Sequence, residues 1–171
     1  MATVGLAAEI KKRRPFACRE QEAMLSVLRT AAVLSEPFDR LFRAYELSMP
    51  AYNILRILRG ESPHGLTCSE IRSRMISRVP DTTRLIDRLE KRSLVQRRRS
   101  STDRRQVTVT ISDRGLTLID PLDDEVIELH RATLGNLSTS EIEQLLTILS
   151  KIRTQTDFAE GNHHAIRKGT C

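Results

Sequence analysis

Apolar residues recur at helical spacing from about Arg19 to Glu46, first Met24, Leu25, Leu28, Ala31 and Ala32, then Phe38, Leu41, Phe42 and Tyr45. The spacing predicts one long helix with a flaw at Pro37. Proline lacks a backbone donor and clashes with the preceding turn, so the helix must kink there, or stop and restart with Ser35 as its cap. Ahead of it, residues 1–18 are small, polar and then basic, with KKRR at 11–14, and read as a mobile arm. Ser48, with Pro50 in the first turn, opens a second helix that turns Tyr52, Leu55 and Leu58 to a core and ends at Gly60. ESPHGL at 61–66 reads as a loop. Thr67 and Glu70 then form a T-x-x-E capping box for a short helix whose apolar side is Cys68, Ile71 and Met75. A tight turn through Ser77 and Arg78 leads to Pro80, acceptable only in a first turn, and to a helix over about 79–92. Two short helices joined in this way are the pattern of a helix-turn-helix.

The second of those helices divides by face. Thr82, Leu85, Ile86 and Leu89 point one way at spacings of three and four, and Asp81, Arg84, Arg88 and Lys91 point the other. The first set packs and the second is presented. LVQRRR, the polar turn SSTDRR and QVTVTIS, with Val107, Val109 and Ile111 alternating against Thr108 and Thr110, predict a β-hairpin with a basic tip. A helix-turn-helix followed at once by such a hairpin is a winged helix. After the cap Ser112 a helix runs to about Leu134, bent at Pro121, and Gly135 and Asn136 end it. Ser138 and Glu141 form a second capping box for a last helix marked by Ile142, Leu145, Leu146, Leu149 and Ile152. Residues 158–171 form a polar tail. No internal repeat of fixed period is present.

The fold class is therefore mainly α with a small β-hairpin wing, and 171 residues with 39% hydrophobic positions suffice for one compact unit. Charge adds a direction to that picture. The chain carries a net +6, but residues 67–112 hold 12 basic and 5 acidic side chains, while residues 113–171 hold 6 basic and 10 acidic. The middle segment alone exceeds the total, and its excess spans several elements, as a surface for an acidic partner would. Six aromatics without a tryptophan leave little for stacking on single-stranded bases, so double-stranded DNA is the better partner.

Catalytic chemistry finds no foothold. There is no Gly-rich phosphate loop, nucleophile elbow or paired acid and base in a recognisable frame, so no enzyme activity and no cofactor are expected. Cys18, Cys68 and Cys171 are odd in number and widely spaced, which indicates neither a disulfide framework nor a zinc site. His64, His130, His163 and His164 contain no i, i+4 pair, and no metal is expected. The longest apolar runs span only a few residues, so no membrane helix is expected; the N-terminal charges follow a short apolar stretch, the reverse of a secretory signal, and the chain reads as cytoplasmic.

The string TTRLIDRLEKRSLVQRRRSSTDRRQVTVTISDRG, together with YNILRIL and LTCSEIRSRM, resembles the MarR family, the bacterial multiple-antibiotic-resistance regulators, over about residues 20–155. The resemblance implies a homodimer in which helices from residues 19–46 and 113–157 interlock as a dimerisation region, with residues 48–112 as the winged helix-turn-helix that binds DNA. Each subunit would place its recognition helix in the major groove and its wing in the minor groove of a pseudo-palindromic operator. Carried over position by position, Asp81, Thr83, Arg84 and Arg88 would face the major groove. Asp103 would brace the wing, Arg105 of the Asp-x-Arg signature would enter the minor groove, and Arg97, Arg98, Arg99 and Arg104 would add affinity for the backbone whatever the sequence. The family's regulatory step is also implied: a small-molecule effector entering between the dimer helices and the winged domain, changing the separation of the recognition helices and releasing a repressor from DNA. Ser93 stands where the family usually has glycine, so a left-handed turn there would be strained. Pro37 and Pro121 interrupt helices that are long in the family.

Blander readings stand beside these. Arg84 and Arg88 could serve helix-surface pairing, with Asp81 three residues before Arg84 and Asp87 four before Lys91. Cys18, near a helix start and beside Arg19, could sense oxidants as some relatives do, or be a half-buried small hydrophobe. The winged helix could dock on a protein, its basic face incidental. Steep salt dependence and loss of binding to scrambled DNA separate that alternative from a DNA-binding regulator.

Overall fold

The computed structural model describes residues 5–77, 80–99 and 107–155. In chain order these form α1 (Leu6–Glu9), α2 (Arg19–Ala44), α3 (Met49–Gly60), β1 (Leu66–Thr67), α4 (Cys68–Arg74), α5 (Thr82–Lys91), β2 (Val95–Arg99), β3 (Val107–Ile111), α6 (Asp113–Ile119), α7 (Leu122–Leu134) and α8 (Thr139–Gln155). The three strands make one antiparallel sheet in the order β1-β3-β2. The chain divides into two compact units, Ser35–Ala132 and the described residues up to Leu34 and from Thr133 onward.

The core belongs to the first unit. Ile54, Leu55 and Leu58 of α3, Ile71 of α4, Ile86 and Leu89 of α5, Leu94 and Val95, Val109, Ile119 and Leu122 are all buried together. Phe42 of α2 stacks on Tyr52 of α3 with ring centroids 4.3 Å apart. The caps act as the sequence predicts. The Ser48 side chain accepts from the Ala51 N–H with proline in the first turn, and Thr67 and Glu70 close a reciprocal capping box. Ser138 and Glu141 close a second.

Several expectations are corrected. Helix α2 runs unbroken through Pro37 and neither stops nor restarts at Ser35; Phe38 and Phe42, buried just beyond the proline, hold the segment in place. The opposite happens at Pro121, where a single helix was expected: α6 ends at Ile119 and α7 begins at Leu122, and both of these residues are buried. The expected arm at residues 1–18 contains α1, whose Leu6 is buried and whose Glu9 lies 4.0 Å from Arg29. The loop at 61–66 ends in β1, which pairs Leu66 with Val109 and Thr67 with Thr108. Gly65 makes that pairing feasible, since its φ is +77° and a Cβ there would sit 2.5 Å from the Val109 carbonyl oxygen. With β1 and β2 on either side, β3 is the central strand, so Thr110 is buried while Val107 stays 43% exposed, against simple alternation.

Three helix ends close without glycine. Lys11, Glu46 and Ser93 have φ of 52°, 53° and 59°. In each case the next N–H reaches back five residues, as in Lys12 to Ala7, Leu47 to Phe42 and Leu94 to Leu89. The strained turn expected at Ser93 is therefore one of three.

Candidate nucleic-acid interface

Helix α5 owes its start to Asp81, whose side chain accepts from the Arg84 N–H at 2.9 Å, and not to Pro80 in the first turn. Asp81 is exposed, as expected of the presented set, and its other carboxylate oxygen lies 3.5 Å from Arg84 Nε, so it also caps the helix and orients the arginine beside it. Thr82, Ile86 and Leu89 are buried, which leaves Thr83, Arg84, Arg88 and Lys91 exposed along the opposite side. Arg84 is 75% exposed, and among the described residues its ion pair is the i, i+3 contact with Asp81.

Two other arginines near this face are committed to the protein. The Arg92 guanidinium donates to the Glu46 carbonyl at 2.5 Å and to the Tyr45 carbonyl at 3.4 Å, and it lies 3.3 Å from the Glu46 carboxylate. Arg97 on β2, expected as a phosphate contact, is paired within the protein. It is only 26% exposed, bridges to Asp87 at 2.5 Å and also pairs with Glu90, both on α5. Hydrogen bonding to Asp87, set against partial desolvation, raises its pKa above the usual guanidinium value. Arg97 thereby ties the hairpin to the helix. Arg98 remains exposed, with a 3.3 Å bond to Gln96. The side chain of Arg99, and Asp103, Arg104 and Arg105, lie outside the described residues.

Sequence reasoning placed Asp87 opposite Lys91 on the helix surface and missed its partner across the hairpin. The available signal was the i, i+3 pair of acids, Asp87 and Glu90, on a helix whose next element begins VQRRR. Also unforeseen, Asn53 of α3 accepts the Ile76 N–H at 3.0 Å and holds the turn before α5. Arg56 and Arg59 of α3 pair with Asp120 and Asp123 at the α6 to α7 break. Cys18 is half buried just before α2, and Cys68 is half buried against the core. Among the described residues, no three His, Cys, Asp or Glu side chains gather as a metal site would require, and no helix is long and apolar enough to cross a membrane.

Replacing Arg97 by glutamine is expected to lower stability by about 1–2 kcal/mol, because two carboxylates then face each other with no cation between them. Thermal unfolding of the variant would show it. An unchanged melting temperature combined with weaker, less salt-dependent DNA binding would instead make Arg97 a phosphate contact.

Comparison with known proteins gives this geometry a context. The sequence model of the MarR family matches residues 47–107. The HTH-type transcriptional regulator PecS of Dickeya dadantii is 28% identical over 125 residues, which cover 72% of this chain and 75% of PecS. The crystal structure of a MarR transcription factor from Planctomyces limnophilus is 37% identical, with a TM-score of 0.60 and coverage of 80% of this chain and 99% of that one. A structure of Bordetella bronchiseptica BpsR, whose DNA binding is regulated by 6-hydroxynicotinic acid, superimposes with a TM-score of 0.68 at 19% identity and covers 77% of this chain and 98% of its own.

Proposed function

The chain belongs to the MarR family of DNA-binding transcriptional regulators, and from that premise we propose that it is a homodimeric, ligand-responsive repressor of a pseudo-palindromic operator, one half-site per subunit. The observation that carries this reading is the division of cations on and beside α5. Arg92 and Arg97 are tied to the protein, while Arg84, Arg88 and Lys91 are left on one exposed face. That face enters the major groove, with Arg84 and Arg88 reading guanine or gripping phosphate and Thr83 beside them. Arg98, Arg99 and Arg104 add backbone contacts, Asp103 braces the wing, and Arg105 reaches the minor groove. The winged helix-turn-helix occupies residues 48–112, and residues 19–46 and 113–157 supply the dimer. The protein works in the bacterial cytoplasm, and its effector is a small molecule that binds the DNA-incompetent state more tightly, since equal affinity for both states would shift nothing.

A second copy accounts for the apolar surface of the smaller unit. Met24, Val27 and Leu28 of α2 and Leu146, Ile148 and Ile152 of α8 are exposed, Met24 by 58% and Leu146 by 60%. Exposed apolar faces of this kind on a lone chain would invite association. Leu146→Asp combined with Leu28→Asp is expected to give a monomer in sedimentation equilibrium and to weaken operator binding about 100-fold or more, because the two half-sites no longer bind as a linked pair. A variant that stays dimeric would place the interface elsewhere.

The test of the reading as a whole is fluorescence anisotropy with DNA flanking the coding region, across a salt series, beside scrambled DNA and an Arg105→Ala variant. Much tighter binding to the flanking DNA, lost on scrambling and weakened by Arg105→Ala, supports a sequence-specific regulator. Equal affinity for both DNAs and no effect of the variant would sink it.

A further inference from the structure

Four consecutive cations, Lys11, Lys12, Arg13 and Arg14, lie far from the winged helix in sequence and have no part in the reading given above. They are held in shape. Helix α1 ends in a left-handed turn at Lys11, closed by N–H bonds from Ile10 to Leu6, Lys11 to Ala8 and Lys12 to Ala7 at 3.0, 3.2 and 2.8 Å. Leu6 is buried and anchors that turn. On the far side, Lys12 Nζ sits 5.3 Å from the Phe16 ring centroid, and the Ala17 N–H donates to Gln21 Oε1 at 2.8 Å, joining the segment to the first turn of α2. Pro15 restricts Arg14 to extended conformations. Between these fixed points Lys11, Arg13 and Arg14 are exposed, and among the described residues none of them has a carboxylate within ion-pair distance. The neighbouring acid, Glu9, is paired with Arg29.

Like charges adjacent in the chain repel one another, and among the described residues no carboxylate within ion-pair distance offsets them. A polyanion would, and an already ordered cluster gives up little freedom when it binds one. We propose that the Lys11–Arg14 cluster is a second DNA contact, a sequence-independent clamp on the phosphate backbone of the duplex that the protein regulates. A dimer presents two copies, one for each side of a two-fold operator. The proposal rests on the DNA-binding reading and adds to it a surface outside the winged helix.

The experiment compares the full-length parent with a Lys11→Gln, Arg13→Gln, Arg14→Gln variant, in which Lys12 keeps its place over Phe16. The probe is a duplex recovered by selection with the parent from a random-sequence pool, used at its footprint length and extended by one helical turn at each end. For the Gln variant the slope of log affinity against log salt is expected to fall by about 2–5, and affinity near physiological salt by about tenfold or more. A Lys11→Arg, Arg13→Lys, Arg14→Lys variant is expected to keep the parent's slope, which would show that charge and not turn geometry is responsible. Equal melting temperatures and sedimentation confirm that the fold is shared. A Gln variant with the parent's slope and affinity on both duplexes overturns the proposal, and so does loss confined to phosphatidylserine vesicles, which would assign the cluster to a membrane surface. Failure of the parent itself to recover any preferred duplex would strike the regulator reading instead, so the two failures are distinguishable.

Discussion

Arg84→Ala and Arg88→Ala together are expected to abolish operator binding at concentrations where the parent saturates, with no change in fold. Each side chain projects from the exposed face of α5, and its removal costs about 1–3 kcal/mol if it forms a bidentate contact with guanine. The proposed dimer would carry both residues twice, so the combined loss expected is several orders of magnitude in affinity. Stability is expected to stay within about 0.5 kcal/mol, because the ion pair removed among the described residues, Arg84 with Asp81, is exposed. The single variants separate the roles. An arginine that reads a base relaxes selectivity at one operator position when it is replaced. One that holds phosphate weakens all sequences alike and lowers the salt slope by about one per contact. Retention of parental affinity by the double variant would refute the placement of α5 in the major groove.

Gly115→Val is expected to be the most damaging substitution to the fold among those considered, although it lies outside the DNA-facing set. Ser112 joins the base of the hairpin to the start of α6: its N–H donates to the Leu94 carbonyl at 3.1 Å, its hydroxyl donates to the Ser93 carbonyl at 2.7 Å, and it accepts from the Gly115 N–H at 3.0 Å. A Cβ on residue 115 would stand 2.3 Å from the Leu94 carbonyl oxygen and 2.7 Å from Ile111 Cγ1. The oxygen belongs to the backbone and has no rotamer to escape into, so α6 and the hairpin must separate. The expected cost is about 3 kcal/mol or more, at the upper end for overpacking, and would appear as a fall in melting temperature of about 2–4 °C for each kcal/mol. Gly60→Ala is the control, since a Cβ there meets nothing within 4 Å. It should melt at or slightly above the parent's temperature. Parental melting of Gly115→Val would mean that the two elements are not held together here.

What could be read from the sequence follows the range of the forces involved. Helices α3, α4 and α8 were legible because a cap acts on the residue three positions on, so Ser48, Thr67 and Ser138 each declare a start within one turn. The buried side of α5 was legible because Thr82, Ile86 and Leu89 keep helical period. The winged-helix class followed from the order of these elements, and the family resemblance from that order together with strings such as TTRLIDRLEKRSLVQRRRSSTDRRQVTVTISDRG. What stayed hidden depends on partners distant in sequence. Strand β1 is two residues long, too short to show a period, and exists only because β3 lies beside it. Pro37 and Pro121 look alike locally, yet core packing around Phe38 and Phe42 keeps one helix whole while the other parts. Within the site, charge alone could not separate Arg97 from Arg98. One meets the carboxylates of α5 and the other, among the described residues, bonds Gln96, and strand alternation decides which.

The Arg92 guanidinium, clasped by the residues that follow α2, couples the end of α5 to the C-terminal end of that helix. Glu46 and Tyr45 terminate α2, and Arg92 follows the last residue of α5, so a shift of the C-terminal end of α2 must carry α5 with it or break all three contacts at once. A linkage of that kind behaves as a strut and not as a spring. Under the proposed reading, the angle at which α5 would meet DNA is then set in part at a joint outside the presented face itself.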